Sequence, residues 1–127
     1  MNLSLFQLLL VVLLLWSLVG MGSAILGLYL EPGELMRSFW LMSGLWALVD
    51  GGIVWVAMIR PVPTPAELAP ILKFNAGLDV LYLVAAGVLV SRATPRLKGF
   101  GSAVALHGAF LLVFDVSFYL AGAGALG

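Results

Sequence analysis

The chain has 127 residues, of which 63% are hydrophobic and 9% charged, with a formal net charge of zero and no cysteine. A soluble domain carries roughly a quarter charged residues, and a fold of this length cannot hide so much apolar surface from water, so the composition points to lipid as the solvent. Zero net charge removes the electrostatic case for nucleic acid, and no polybasic segment suggests docking on anionic lipid. The lack of cysteine excludes disulfides, thiolate catalysis, iron–sulfur clusters and cysteine-ligated zinc.

The first apolar stretch runs from about Leu3 to Leu30. No Lys or Arg precedes it and it is longer than the apolar core of a secretory signal, so it is expected to stay as a helix, although Gly20-Met21-Gly22-Ser23-Ala24 offers small residues for cleavage. Ser17, Gly20, Ala24 and Gly27 form one narrow face of small side chains, which lets helix backbones approach closely in lipid. Packing inside the chain is the first expectation for that face, and a homo-oligomer interface is the alternative.

Glu31-Pro32-Gly33-Glu34 reads as a tight polar turn that sets acids at the positive end of the next helix dipole. The second helix is expected over residues 35–59, with Trp40 and Trp55 near opposite ends, where interfacial belts sit, and Trp46 one turn from Asp50. Pro61-Val62-Pro63-Thr64-Pro65 is stiff and extended. Thr64, Pro65 and Glu67 give the start signal of a third helix over 66–90, apolar from Pro70 onward. Ser91 to Arg96 is the third break, and Thr94-Pro95 repeats that signal for a fourth helix over 96–121, where Gly101, Ala105 and Gly108 form another small face. The small, uncharged tail after Ala121 is expected to fray.

The fold class is therefore all-α: one integral membrane domain over 1–127, a four-transmembrane-helix up-down-up-down bundle. Each stretch can span the roughly 30 Å of hydrocarbon at about 1.5 Å per residue, and an open sheet would leave backbone groups unpaired in lipid. Short loops make consecutive helices antiparallel neighbours. Arg37, Arg92, Arg96 and Lys98 fall on one side and Arg60 and Lys73 on the other, which puts both termini outside the cytoplasm of a bacterial inner membrane. The partners are then the lipid bilayer and a homo-oligomer or larger membrane complex, with no nucleic acid.

Polar residues inside the apolar helices carry the functional question. Counting from helix centres puts Asp79 about 2 Å, Asp50 about 4 Å and Asp115 about 8 Å from the midplane, all displaced to the side of the termini. Asn75 falls in the same layer and Lys73 just above it. Asn75, Asp79 and Tyr82 share one helix face, as do Ser43, Trp46 and Asp50, while His107 and Asp115 can both face inward. An ionised Asp at mid-bilayer costs about 2.5–3.5 kcal/mol on the lenient scale. The three are therefore expected to pair, hydrate or hold protons, with at least one protonated carboxyl donating to another.

Three readings stay open for this set. The first is proton or cation handling by Asp50, Asp79 and Asp115, with His107 extending the path towards the cytoplasm. The second is a non-catalytic structural or accessory membrane subunit, in which an Asp–Asn–Tyr network locks helix register. The third is a binding protein for a lipid, quinone or pigment, lined by Trp46, Tyr82 and His107. No cofactor can be named: a lone His cannot ligate haem on both sides, and His107 with Asp115 lacks further metal ligands. No catalytic motif appears, so no enzyme activity is assigned.

Three runs carry a resemblance: Phe39-Trp40 through Gly44, Trp46, Asp50 and Gly51; Asn75-Ala76-Gly77-Leu78-Asp79 with Tyr82; and Gly99-Phe100-Gly101 through Gly108, Phe110, Leu111, Phe114 and Asp115. Over about residues 35–120 the chain resembles a family of small bacterial four-helix membrane proteins of unknown function. That resemblance implies the fold and brings no activity or cofactor.

Overall fold

A computed structural model describes residues 4–30 and 33–126. It contains α1 (Leu5–Leu30), α2 (Glu34–Ile59), α3 (Pro65–Val90) and α4 (Pro95–Leu126), and no strand among the described residues. All four helices are long and apolar enough to cross a membrane.

Local chemistry sets the helix starts. Ser4 and Gln7 close a reciprocal capping box before α1: the Gln7 amide donates to Ser4 Oγ (3.1 Å) and the Ser4 amide to Gln7 Oε1 (2.9 Å). The first residue of the expected helix, Leu3, lies outside the described residues, as do Glu31 and Pro32 of the expected turn. Gly33 precedes α2 in an extended conformation, and Glu34 occupies its first turn. Thr64 Oγ1 accepts from the Glu67 amide at 3.2 Å, and Thr94 Oγ1 from the Leu97 amide at 3.3 Å, so both Thr-Pro signals cap helices. α3 ends where Ser91 turns back, its hydroxyl donating to the Val88 carbonyl, while Lys98 Nζ donates to the Val90 carbonyl. Cations suit the negative end of a helix. α4 continues to Leu126 instead of stopping near 121, because nothing in its alanine- and glycine-rich end breaks the backbone ladder.

Small residues set the packing. Gly20 and Gly44 lie so close to Ala47 and Ala24 that an added Cβ would come within 3.2 Å of the facing methyl. A Cβ on Gly27 would enter the Trp40 ring, and Ser17 Oγ donates to the Ala47 carbonyl at 2.7 Å. The small face of α1 thus closes on α2, with the two helices antiparallel. It is an internal seam. Trp40 is spent on that seam instead of standing in a lipid-facing belt, whereas Trp55 remains exposed. Gly101 and Gly108 press onto Leu89, Val90, Tyr82 and Leu83, pairing α4 with α3. Gly99 presses onto Leu35 and Ser38, bringing α4 against α2.

The packing order is therefore α1, α2, α4, α3, with α1 touching α4 only briefly. Among the described residues α2 and α3 do not pack backbone to backbone. Consecutive helices were expected to be neighbours throughout, and at this junction they are not. The linker supplies the reason. Residues 61–64 have no helical structure; Arg60 just before them and Thr64 at their end are extended. Four extended residues reach about 13 Å, beyond the roughly 8–10 Å between packed helix axes. Across the gap only side chains meet, in an apolar cluster of Leu9, Leu13, Val54, Leu68, Leu72 and Phe114.

Candidate functional site

The space between α2 and α3 is a cleft of about 770 Å³. Leu9, Leu10 and Leu13 of α1 form its back, with Leu111 and Phe114 of α4. Val49, Ile53 and Val56 line it from α2, and Leu68, Ile71 and Leu78 from α3. Several of these are themselves exposed on the outer surface, including Val49, Ile53, Val56 and Ile71, so the cleft opens sideways between the two helices. The stiff Pro61 and Pro63 and the Arg60 side chain stand at one end.

The polar residues gather at the other end of these apolar walls. Trp46, Asp50, Asn75, Asp79, Tyr82 and Asp115 all line the cleft. The stripe of Asn75, Asp79 and Tyr82 on α3 faces Trp46 and Asp50 on α2, and Asp115 reaches in from α4. Trp46 and Tyr82 meet edge to face across the gap, with ring centroids 5.0 Å apart.

The three carboxyls are not equivalent. Asp79 and Asp115 lie close enough for one carboxyl to hydrogen-bond the other when a proton lies between them. Asp50 stands close enough for its charge to act on both. Asp50 is 0% exposed, and neither of its carboxyl oxygens has a hydrogen-bond partner among the described residues; Asp79 Oδ2 is also buried and unpartnered. Such atoms are costly to bury without a partner. Among the described residues no group of three or more His, Cys, Asp or Glu side chains is arranged to hold a metal ion.

Two candidates from the sequence lie elsewhere. Lys73 is exposed and does not line the cleft. His107 is buried on the far side of Trp46, its ring 6.4 Å from the indole in near-parallel stacking and 5.4 Å from Trp16 edge-on, and it does not line the cleft. His107 thus sits among aromatic rings, beside Trp16, which itself stacks on Phe110 with centroids 3.8 Å apart. Conversely, Arg60 lines the cleft, although its place in the sequence suggested only a loop charge. The prolines that follow it were the available signal, since they hold the end of α2 away from α3.

Fold and site together define an all-helical chain of four apolar, membrane-length helices around a lateral, carboxyl-floored cleft. The chain belongs to a family of unknown function, DUF6992, whose model matches residues 12–116 and so takes in every polar residue of the cleft floor. No curated protein and no solved structure matches it.

Proposed function

We propose that the chain spans a membrane four times and binds a small lipophilic molecule with a polar head in the cleft between α2 and α3, which the molecule enters from the bilayer. The outward faces support insertion: Leu15, Leu18, Val19, Ile25, Leu48, Met58, Leu81, Val84 and Val113 are exposed on all four helices. Helices apolar on every side belong in lipid. The loop charges favour termini outside the cytoplasm of a bacterial inner membrane. A homo-oligomer or larger complex would have to use faces other than the α1 seam, which α2 already covers.

The observation that carries the reading is Asp50. A fully buried carboxyl with both oxygens unpartnered among the described residues, at the polar foot of a largely apolar cleft, is a set of acceptors awaiting a donor. An apolar pocket with a few convergent polar groups is the usual form of a small-molecule site. A path for an ion would instead need polar walls through the chain, and the cleft walls above the floor are leucine, isoleucine and valine.

The test is photolabelling in nanodiscs with a neutral, long-chain diazirine alcohol, mapped by peptide mass spectrometry. Labelling of the cleft-lining Leu13, Ile53 and Leu78 should exceed that of residues on the outward faces and saturate on addition of unlabelled dodecanol. Labelling spread evenly over all outward faces, with no saturation, would remove the reading.

The Asp79–Asp115 contact favours a second reading, proton handling. An ionised carboxylate only accepts hydrogen bonds, so two carboxyls bond to each other only with a proton between them. Proton flux in liposomes that disappears in Asp79→Asn would establish it, and equal flux in wild type and variant would end it.

A further inference from the structure

We infer that the head group held at the cleft floor is a primary or secondary ammonium, so that the ligand is a lipophilic amine. This rests on the binding reading above and gives it a substrate class. Three features of the floor select the charge and the chemistry. First, its ionisable acids come from three different helices, Asp50, Asp79 and Asp115, beside the neutral Asn75, Tyr82 and Trp46, and the one cation lining the cleft among the described residues is Arg60. Ten residues of helix separate Arg60 from Asp50, about 15 Å along the axis. Arg60 therefore stands at the opposite end of the cleft and leaves the floor without a counter-charge.

Second, the unpartnered atoms are all acceptors. Both oxygens of Asp50 and Oδ2 of Asp79 are buried without a donor among the described residues. An ammonium that keeps its N–H groups can donate to several of them at once. A quaternary ammonium supplies charge alone, and a carbonyl or sulfate head would set further acceptors against carboxyl oxygens that no donor reaches among the described residues. Charge-assisted bonds of this kind are the strong ones in a site shielded from water.

Third, Trp46 and Tyr82 flank the floor with their rings edge to face. Aromatic faces attract organic cations. The apolar body would lie along Leu13, Ile53 and Leu78 towards the lateral opening. The cleft is wide enough for such a body, since small-molecule sites run from about 300 to 1,000 Å³.

The experiment is displacement of the diazirine alcohol from the full chain in nanodiscs of neutral lipid, with competitor amounts expressed per lipid. Dodecylammonium, dodecyltrimethylammonium, dodecanol and dodecyl sulfate are compared. Dodecylammonium should displace the label at about one-tenth of the dodecanol amount or less, with dodecyltrimethylammonium between them and dodecyl sulfate weakest. Asp50→Asn keeps the side-chain shape and removes the charge, and it should bring the ammonium-to-alcohol ratio close to one. Asp115→Asn should lower that ratio as well, which provides a second variant should the first not fold. Saturable labelling with no preference for the ammonium would overturn this inference and leave the binding reading standing. Equal displacement by the primary and the quaternary ammonium would overturn the N–H requirement. Unsaturable labelling would remove both the inference and the reading beneath it.

Discussion

The second helix has two unlike faces. Towards α1 it presents Trp40, Gly44, Ala47 and Gly51, each seated against a small residue or a hydroxyl of the partner. Towards α3 it presents Val49, Asp50, Ile53 and Val56, with Arg60 at its cap, and among the described residues it does not pack on the α3 backbone. In the membrane setting proposed above no hydrophobic force closes two helices, so contact depends on how near the backbones can come. The first face meets that condition. The second carries branched side chains and a carboxyl, and the proline linker holds its partner away. One helix thus serves as scaffold on one side and as the wall of a site on the other.

The contrast breaks first at the seam. Gly27→Val would push side-chain carbons into the space of the Trp40 ring, and no small movement of α1 or α2 relieves that overlap. The variant should lose about 3 kcal/mol of stability, the upper range for overpacking, read as equilibrium unfolding in mixed micelles. An unchanged transition would mean that the α1/α2 seam is not what holds the fold.

The opposite sign is expected in the cleft. Asp50 is buried among apolar walls without a hydrogen-bond partner among the described residues, and an unpaired acid at that depth works against the fold. Asp50→Leu should raise stability by about 2 kcal/mol while abolishing the preference for ammonium competitors. Residues kept for binding commonly cost stability. A drop in stability on this substitution would instead assign the carboxyl a structural role and favour the accessory-subunit reading.

Much of the scaffold was legible in the sequence. The four apolar stretches match the four helices, Thr64 and Thr94 cap as their Pro-flanked positions imply, and the small face of α1 packs inside the chain. These features follow from local chemistry and spacing. The convergence of Asp50, Asn75, Asp79, Tyr82 and Asp115 was also readable, because depth along a helix follows from residue count and facing from the helical period. The gap between α2 and α3 was not read. It depends on which helix takes the place beside α2, and that is decided by Gly99 meeting Leu35 and Ser38, a contact far apart in sequence. For the same reason Lys73 was set just above the layer by depth and His107 was faced inward with Asp115 by the helical period, whereas the packing leaves Lys73 exposed outside the cleft and sets His107 against Trp46 and Trp16.

A smaller effect tests the polar part of the seam alone. Ser17 Oγ donates to the Ala47 carbonyl at 2.7 Å, and the same oxygen lies 2.8 Å from where a Cβ on Gly51 would stand. Ser17→Ala deletes the donor, while the Ala47 carbonyl keeps the backbone bond of its own helix. The loss should be about 1 kcal/mol, with no change in ligand displacement. A change in displacement would show that the seam and the cleft communicate through α2.

The smallest effect is expected at Lys73, and it separates depth from direction. Lys73 lies two residues before Asn75, so a floor defined by depth alone would place its ammonium beside the carboxyls as an internal counter-charge. In the structure the side chain is exposed and outside the cleft. Two residues along a helix turn a side chain by about 200°, which accounts for the different direction. Lys73→Gln should therefore leave both the unfolding transition and the ammonium-to-alcohol ratio where they are. If Lys73 instead neutralised Asp79, its removal would free a carboxylate and raise the ratio. The same measurement on Arg60→Gln completes the comparison. Arg60 lines the end of the cleft away from the carboxyls and sets a positive charge there, so its loss should favour ammonium competitors modestly where the loss of Lys73 does nothing.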